Sequence, residues 1–204
     1  MLKEAFFELC GRYSDDPKLT EACWAEIASC YSSSKRHYHD LSHLSNLLKW
    51  LQAVKDSIHD WDTVLFALYY HDIVYHATKS DNELQSALLA ETRMRELGVP
   101  ETRIAACKSM ILATQKHTFS SDADTNYFTD ADLAILGEDW NAYQAYFQNV
   151  RKEYSVYPDF LYKPGRKKVL KHFLEMERIF KTPFFYEKLE QSCRGNLARE
   201  LALL

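Results

Sequence analysis

Apolar residues recur at three- and four-residue intervals along almost the whole chain, the spacing of one face of an α-helix. Leu41, Leu44, Leu47, Leu48, Leu51 and Val54 draw one stripe over residues 39 to 54, with His43 on its margin one turn before Leu47. The next helix is predicted from about Trp61 to Tyr75, with Asp60 as a capping candidate. It contains the run TVLFALYY and so lies in or beside a core. Before these come a short amphipathic segment at 2 to 11, a helix opened by Asp16-Pro17 that ends near Tyr31, and a loop at SSSKR. After them, Asp81 caps NELQSALLAETRMREL, Gly98 closes it, and Pro100 opens a helix to His117. Residues 118 to 128 read as a polar loop, in which the acids of DADT (122 to 125) are solvated. TDADLAILG is a short helix between Thr129 as cap and Gly137 as stop, followed by an aromatic helix to about Tyr154. Pro158 and Pro164-Gly165 mark turns before a helix ending near Phe180, and Thr182-Pro183 starts the last one, through Leu204. No hairpin signal, internal repeat or heptad array interrupts this pattern, so the prediction is an all-α bundle of roughly nine helices.

Five glycines and five prolines in 204 residues agree with long helices, and no linker-like stretch divides the chain, which reads as a single domain, 1–204. The net charge of −4 offers no global attraction to a nucleic acid polymer or an anionic membrane, although local basic clusters remain. The longest apolar run, about eight residues, is far short of the roughly 20 that span a bilayer, and MLKEAFFELC lacks a leader pattern. The expectation is a soluble, cytoplasmic protein with no membrane partner and an oligomeric state left open. Five cysteines, with no CxxC and mostly at apolar helical positions, read as buried free thiols.

The chemistry concentrates in RHYHDLSH at 36 to 43, His71-Asp72, and Asp130-Ala131-Asp132. His-Asp also occurs at 39–40 and 59–60, but only His71-Asp72 ends an apolar run, where an ionisable pair is costly without a partner such as a metal. His43, His71, Asp72 and Asp132 supply two neutral nitrogens and two carboxylates from three helices, a set that balances one divalent ion. Mixed donors of this kind suit Mn, Fe, Co, Ni or Zn better than Mg. Adjacent residues on a helix point about 100° apart, so His71 and Asp72 reach one ion only beside the helix end. Lys35, Arg36 and His39 before the first ligand, and Arg166, Lys167 and Lys168 later, are candidate cations for a phosphate. His39 and His43 share a helix face at a spacing of four, so His39 is either a ligand-site residue or a structural histidine. Glu83, by its own position, is a first-turn carboxylate favoured by the helix dipole. Arg151, Glu153 and Tyr154 on the aromatic helix read first as packing and salt bridging. There is no Gly-rich phosphate loop, GxSxG elbow or catalytic cysteine pattern.

His43, then His71-Asp72, then Asp132 in an Ala-Asp-Leu context resemble the HD superfamily of metal-dependent phosphohydrolases. YHDLSH, YYHDIVY, DNELQSA, DADLAILG and GRKKVL are more closely similar to the compact bacterial HD proteins of about this length. The HD core covers about residues 36 to 140, with helices 141–204 packing on it, and the closer resemblance runs over nearly the whole chain. It implies His43, His71, Asp72 and Asp132 as ligands. Asp132 is preferred over Asp130 because the family's last ligand usually stands before Leu; Asp130 then falls to the surrounding shell or a helix cap. It also implies Asp72 or Glu83 as proton acceptor, and His117 as a loose match to the extra histidines of two-metal members, whose full set this chain lacks. One divalent metal is therefore expected, with hydrolysis of a phosphate ester in a small phosphorylated metabolite or nucleotide. The alternatives are a non-catalytic ligand-binding or regulatory module with a structural metal, and a di-iron oxygenase with His39, His76 and His117 as spare ligands.

Overall fold

The run from Thr63 to Tyr70 folds as helix Trp61–Tyr70, and all eight of its residues are buried. In the computed structural model, which describes Leu2–Leu204, this is the fourth of ten α-helices. They are α1 (Leu2–Cys10), α2 (Pro17–Tyr31), α3 (Leu41–Ala53), α4 (Trp61–Tyr70), α5 (Asn82–Glu96), α6 (Glu101–Ala113), α7 (Ala123–Asp132), α8 (Trp140–Glu153), α9 (Asp159–Glu175) and α10 (Pro183–Leu203). Single turns of 3-10 helix stand at Lys55–Ser57 and Leu133–Gly137. The described residues contain no strand, so the chain is all-α as predicted, with helix ends that differ in instructive places. It divides into two compact units, one ending at Thr129 and one running from Asp130 to Leu204.

In the first unit α4 packs against α3, α5 and α6. Leu44, Leu47, Leu48 and Leu51 of α3 are buried as their stripe predicts, each such leucine contributing about 1.5–3 kcal/mol. Ala87 and Ala90 of α5 are fully buried, and α6 packs along that helix. The helix starts follow their caps. Asp16 accepts from the amides of Lys18 and Leu19, and Asp60 from that of Thr63. Gly98 closes α5 in the left-handed region at φ 81°, a conformation open to glycine at little cost. Asp81 stands at the start of α5 but makes no backbone cap, its carboxylate taking the Gln85 side chain instead.

Residues 118 to 128 are not a loop throughout: α7 begins at Ala123, with Asp122 accepting from the amide and hydroxyl of Thr125 at 3.0 and 2.5 Å. Of the two acids of DADT, Asp122 is exposed as expected and Asp124 is not. Asp124 is buried because its two oxygens accept the backbone amides of His59 and Asp60, at 2.9 and 2.7 Å, tying α7 to the start of α4. Thr129 consequently lies inside α7, not at its start, and its hydroxyl donates back to the Thr125 carbonyl at 2.9 Å.

In the second unit the 3-10 turn lies against α10 so closely that a Cβ on Gly137 would stand 2.6 Å from the Leu189 Cβ. Ser192 donates to the Gly137 carbonyl, and Asn196 donates to the carbonyls of Leu136 and Glu138. α9 starts at Asp159, ahead of the predicted turn at Pro164-Gly165, which lies within the helix. Pro164 is only the sixth residue of α9, so it removes one hydrogen bond near an end instead of breaking a long helix. No cysteine is bonded, and all but the half-buried Cys30 are buried. Burial pushes the thiols of Cys10 and Cys193 up to about 12. Among the described residues, no helix is long and apolar enough to cross a membrane.

Candidate metal centre

Asp40 accepts from the amides of Ser42 and His43 at 2.8 and 3.3 Å and so fixes the first turn of α3. That sets His43 one turn before Leu47 on the buried face, where it is 4 % exposed. α4 ends at Tyr70, not near Tyr75 as its apolar pattern predicts. Beyond it His71 and Ile73 still donate to the carbonyls of Ala67 and Tyr70, and the carbonyls of this exit are taken by Arg36, whose guanidinium donates to those of Asp72 (2.7 Å), Ile73 (2.8 Å) and His39 (3.0 Å). The Tyr31 hydroxyl takes the Asp72 amide, and Ser86 bonds both backbone groups of Val74.

This irregular exit brings His71 and Asp72 to one point. His71, 1 % exposed, has Nδ1 at 3.0 Å from the Leu68 carbonyl, an acceptor that fixes the proton on Nδ1 and makes Nε2 the lone-pair nitrogen. That Nε2 lies 3.1 Å from His43 Nε2 and 3.2 Å from Asp72 Oδ2. The same carboxylate oxygen is 3.9 Å from the Nε2 atoms of both His43 and His39. His39 stacks on Tyr75 with ring centroids 4.2 Å apart.

The donor set fits a divalent ion. Metal–nitrogen bonds of about 2.0–2.1 Å at angles between roughly 90° and 110° put two nitrogens about 2.9–3.4 Å apart, and the observed 3.1 Å falls inside that interval. An N–H···N bond with the proton on His43 would satisfy the same separation. The Asp72 carboxylate oxygen, 3.2 Å from one of these nitrogens and 3.9 Å from the other, is what a cation accounts for and that bond does not.

Asp130 and Asp132 belong to the second unit. Asp132 is half-buried and closes α7 four residues after Phe128, whose ring meets His71 edge-on at 5.7 Å. Asp130 is fully buried, and its carboxylate accepts from the amides of Lys181 and Thr182, the Thr182 hydroxyl and the Lys181 ammonium. It therefore anchors the segment that leads into α10. Burial holds the Lys181 ammonium below the usual lysine value, against the pull of Asp130 and Asp132. Glu83, half-buried in the first turn of α5, has no hydrogen bond or ion pair among the described residues. His117 lies in the turn after α6, which ends four residues short of it, and takes the left-handed region at φ 50°.

Arg36 and Arg166 are corrected as phosphate-binding cations. Arg36 is committed to three carbonyls and lies over the Tyr31 ring at 4.6 Å. Arg166 is buried and paired with Glu200 by two hydrogen bonds of 2.7 and 2.9 Å. Burial works against its charge, but Tyr146 and Glu200 outweigh it and raise its pKa. Sequence reasoning missed Tyr31, Tyr75 and the Leu68 carbonyl as supports of the site. Of these only Tyr75 carried a signal, as an aromatic flanking the His-Asp pair in YYHDIVY.

Comparison of the chain with known protein families, with curated proteins and with solved structures finds no match.

Proposed function

We propose that the chain is a metal-dependent phosphohydrolase of the HD type, acting on a phosphate ester in a small phosphorylated metabolite or nucleotide. The observation that carries this reading is the convergence of His43 Nε2, His71 Nε2 and Asp72 Oδ2 in a buried position, with the His71 tautomer set for ligation. These three residues would hold one divalent ion, Mn, Fe, Co, Ni or Zn before Mg, with Asp132 of the Ala-Asp-Leu motif as the fourth ligand. When bound, such an ion would supply a water of near-neutral pKa and polarise a phosphoryl oxygen. The Leu68 carbonyl keeps the His71 ring in place, and Arg36 holds the backbone that carries Asp72. Asp72, or the unpartnered Glu83, takes the proton. His39, braced on Tyr75, meets the phosphate.

A second reading, a non-catalytic module in which the ion clamps helices together, is favoured by one observation. Both arginines expected to neutralise a phosphate are spent on the fold.

The test is a screen of phosphorylated metabolites with several added metals, run beside His71→Ala, with elemental analysis and melting curves before and after chelation. A ligand present at 100 times its Kd stabilises by about 2.7 kcal/mol, a shift of several degrees for a chain of this size. Turnover that disappears in His71→Ala supports the hydrolase. A chelator-sensitive melting point without turnover selects the clamp, and two tightly held irons per chain select the di-iron oxygenase. If chelation shifts the wild type no more than His71→Ala, the three residues do not share a metal and the assignment fails.

A further inference from the structure

The corner between α8 and α9 carries side chains that the fold does not use. Val156, Phe160, Leu161 and Val169 are 64, 75, 55 and 43 % exposed, although all four are apolar and close together in sequence. The backbone beneath them is braced from inside. Arg151 donates to the carbonyls of Tyr154 and Tyr157 and to the Asp159 carboxylate, and its guanidinium lies 4.6 Å over the Tyr162 ring. Tyr154 in turn packs on both Tyr157 and Tyr162. The backbone of the corner is thus held from within while its apolar side chains stay in solvent.

Charge sorts to the same element. α9 carries five basic residues and two acidic ones, a balance of +3 in a chain of net −4. Arg166 turns inward to Glu200, and Asp159 is taken by Arg151. Lys163, Lys167, Lys168 and Lys171 remain, and none of them makes an ion pair or hydrogen bond among the described residues. Phe160, Pro164, Lys168 and Lys171 follow one another at helical spacing along a single face, apolar at the start of the helix and cationic beyond it.

We propose that this corner is a peripheral docking surface for an anionic lipid bilayer. Val156, Phe160 and Leu161 enter the headgroup boundary, while Lys163, Lys167, Lys168 and Lys171 meet the lipid phosphates and carboxylates. An exposed apolar tip flanked by unpaired lysines is complementary to such an interface. A nucleic acid strand would use the lysines but leave Val156 and Leu161 without an apolar partner. The overall negative charge, which argues against membrane attraction for the chain as a whole, opposes binding through any other face. The surface is independent of the metal centre and of the activity proposed for it.

The test is co-sedimentation of the intact chain with vesicles of phosphatidylcholine alone and of phosphatidylcholine containing about one-third phosphatidylserine, at low ionic strength. Binding to the anionic vesicles only, weakening as salt is added, is expected. A lysine at a membrane surface contributes about 1 kcal/mol, roughly fivefold in affinity, so Lys168→Gln with Lys171→Gln should weaken binding about 25-fold. Phe160→Ser with Leu161→Ser should weaken it by on the order of tenfold or more at constant charge. All four positions are exposed, so unchanged melting curves will show that the variants remain folded. The proposal is overturned if the wild type ignores anionic vesicles, or if the serine variant binds them as well as the wild type does. It is equally overturned if Lys168 and Lys171 support binding of a single-stranded oligonucleotide while vesicles are ignored, or if Phe160→Ser dissolves a self-association that vesicles do not affect.

Discussion

Replacing Arg166 by methionine distinguishes a cation that serves the fold from one that serves a substrate. The side chains of Arg166 and Glu200 are 8 and 2 % exposed, joined by two hydrogen bonds, and Glu200 also accepts the Tyr143 hydroxyl at 2.5 Å. Arg166→Met keeps much of the volume but leaves the Glu200 carboxylate buried with that hydroxyl as its remaining partner in the trio. Breaking one side of a buried pair costs about 3–5 kcal/mol, because the orphaned charge keeps its desolvation penalty. At 2–4 °C per kcal/mol for a chain of this length, the expected fall in melting temperature is about 10 °C, and more if the second unit melts separately. Arg166→Met combined with Glu200→Gln should recover more than half of the loss, since Gln still accepts from Tyr143 and no charge is stranded. Circular dichroism melts of the wild type, both single variants and the double variant measure each quantity. If Arg166→Met melts within about 1 °C of the wild type while any phosphate-dependent activity falls, the pair is not structural and the phosphate role is restored.

Three further outcomes follow from other buried groups. Asp130→Ala should cost about 3–5 kcal/mol, because it strands the Lys181 ammonium and frees the amides of Lys181 and Thr182; elemental analysis should still find the metal, whereas Asp132→Ala should lose the metal, and the reverse order would show that the wrong carboxylate had been chosen. Gly137→Ala should lower the melting point by an amount equivalent to about 1–3 kcal/mol, since its Cβ meets the Leu189 Cβ at 2.6 Å and the Leu189 carbonyl at 2.9 Å; an unchanged melt would mean that α10 is free to move away. Stability should also fall with rising pH. Burial raises the folded pKa of Cys107 and Cys193, so their contribution is complete below an ordinary thiol value near 9 and is lost above it as unfolded thiols ionise and folded ones do not. At pH 10 each should cost about 1.4 kcal/mol. A melting point that does not fall between pH 8 and 10, or that falls equally in Cys107→Ala/Cys193→Ala, would refute the assignment.

What could be read from the chain, and what could not, divides by the distance over which the deciding interaction acts. The stripe through Leu44, Leu47, Leu48 and Leu51, the all-apolar run of α4, and the starts at Asp16-Pro17 and Asp60 are local facts, and the structure reproduces them. The misread features each depend on a remote partner. α4 stops five residues early, and Arg36, 36 positions before Asp72, holds the carbonyls that follow it. The acids of DADT look like a solvated loop until Asp124 meets the amides of His59 and Asp60, 65 and 64 positions away. Arg166 looks like part of a basic cluster until Glu200, 34 positions on, claims it.

The candidate site shows both cases within a few ångströms. A histidine one turn ahead of a buried leucine stripe, and a second at the end of an apolar helix, must both face the interior, so His43 and His71 could be nominated from their own neighbours. That Asp72 approaches the same point as His71 was legible only as a condition, a place beside the helix end, because adjacent helical residues diverge by about 100°. The structure reconciles them by ending α4 at Tyr70, which frees Asp72 from helical geometry and lets its Oδ2 reach 3.2 Å from His71 Nε2. The early end of the helix and the convergence of the donors go together, and Arg36 braces both by holding the carbonyls of Asp72 and Ile73. Arg36, expected as a contact for substrate, is better placed as a residue that braces the site.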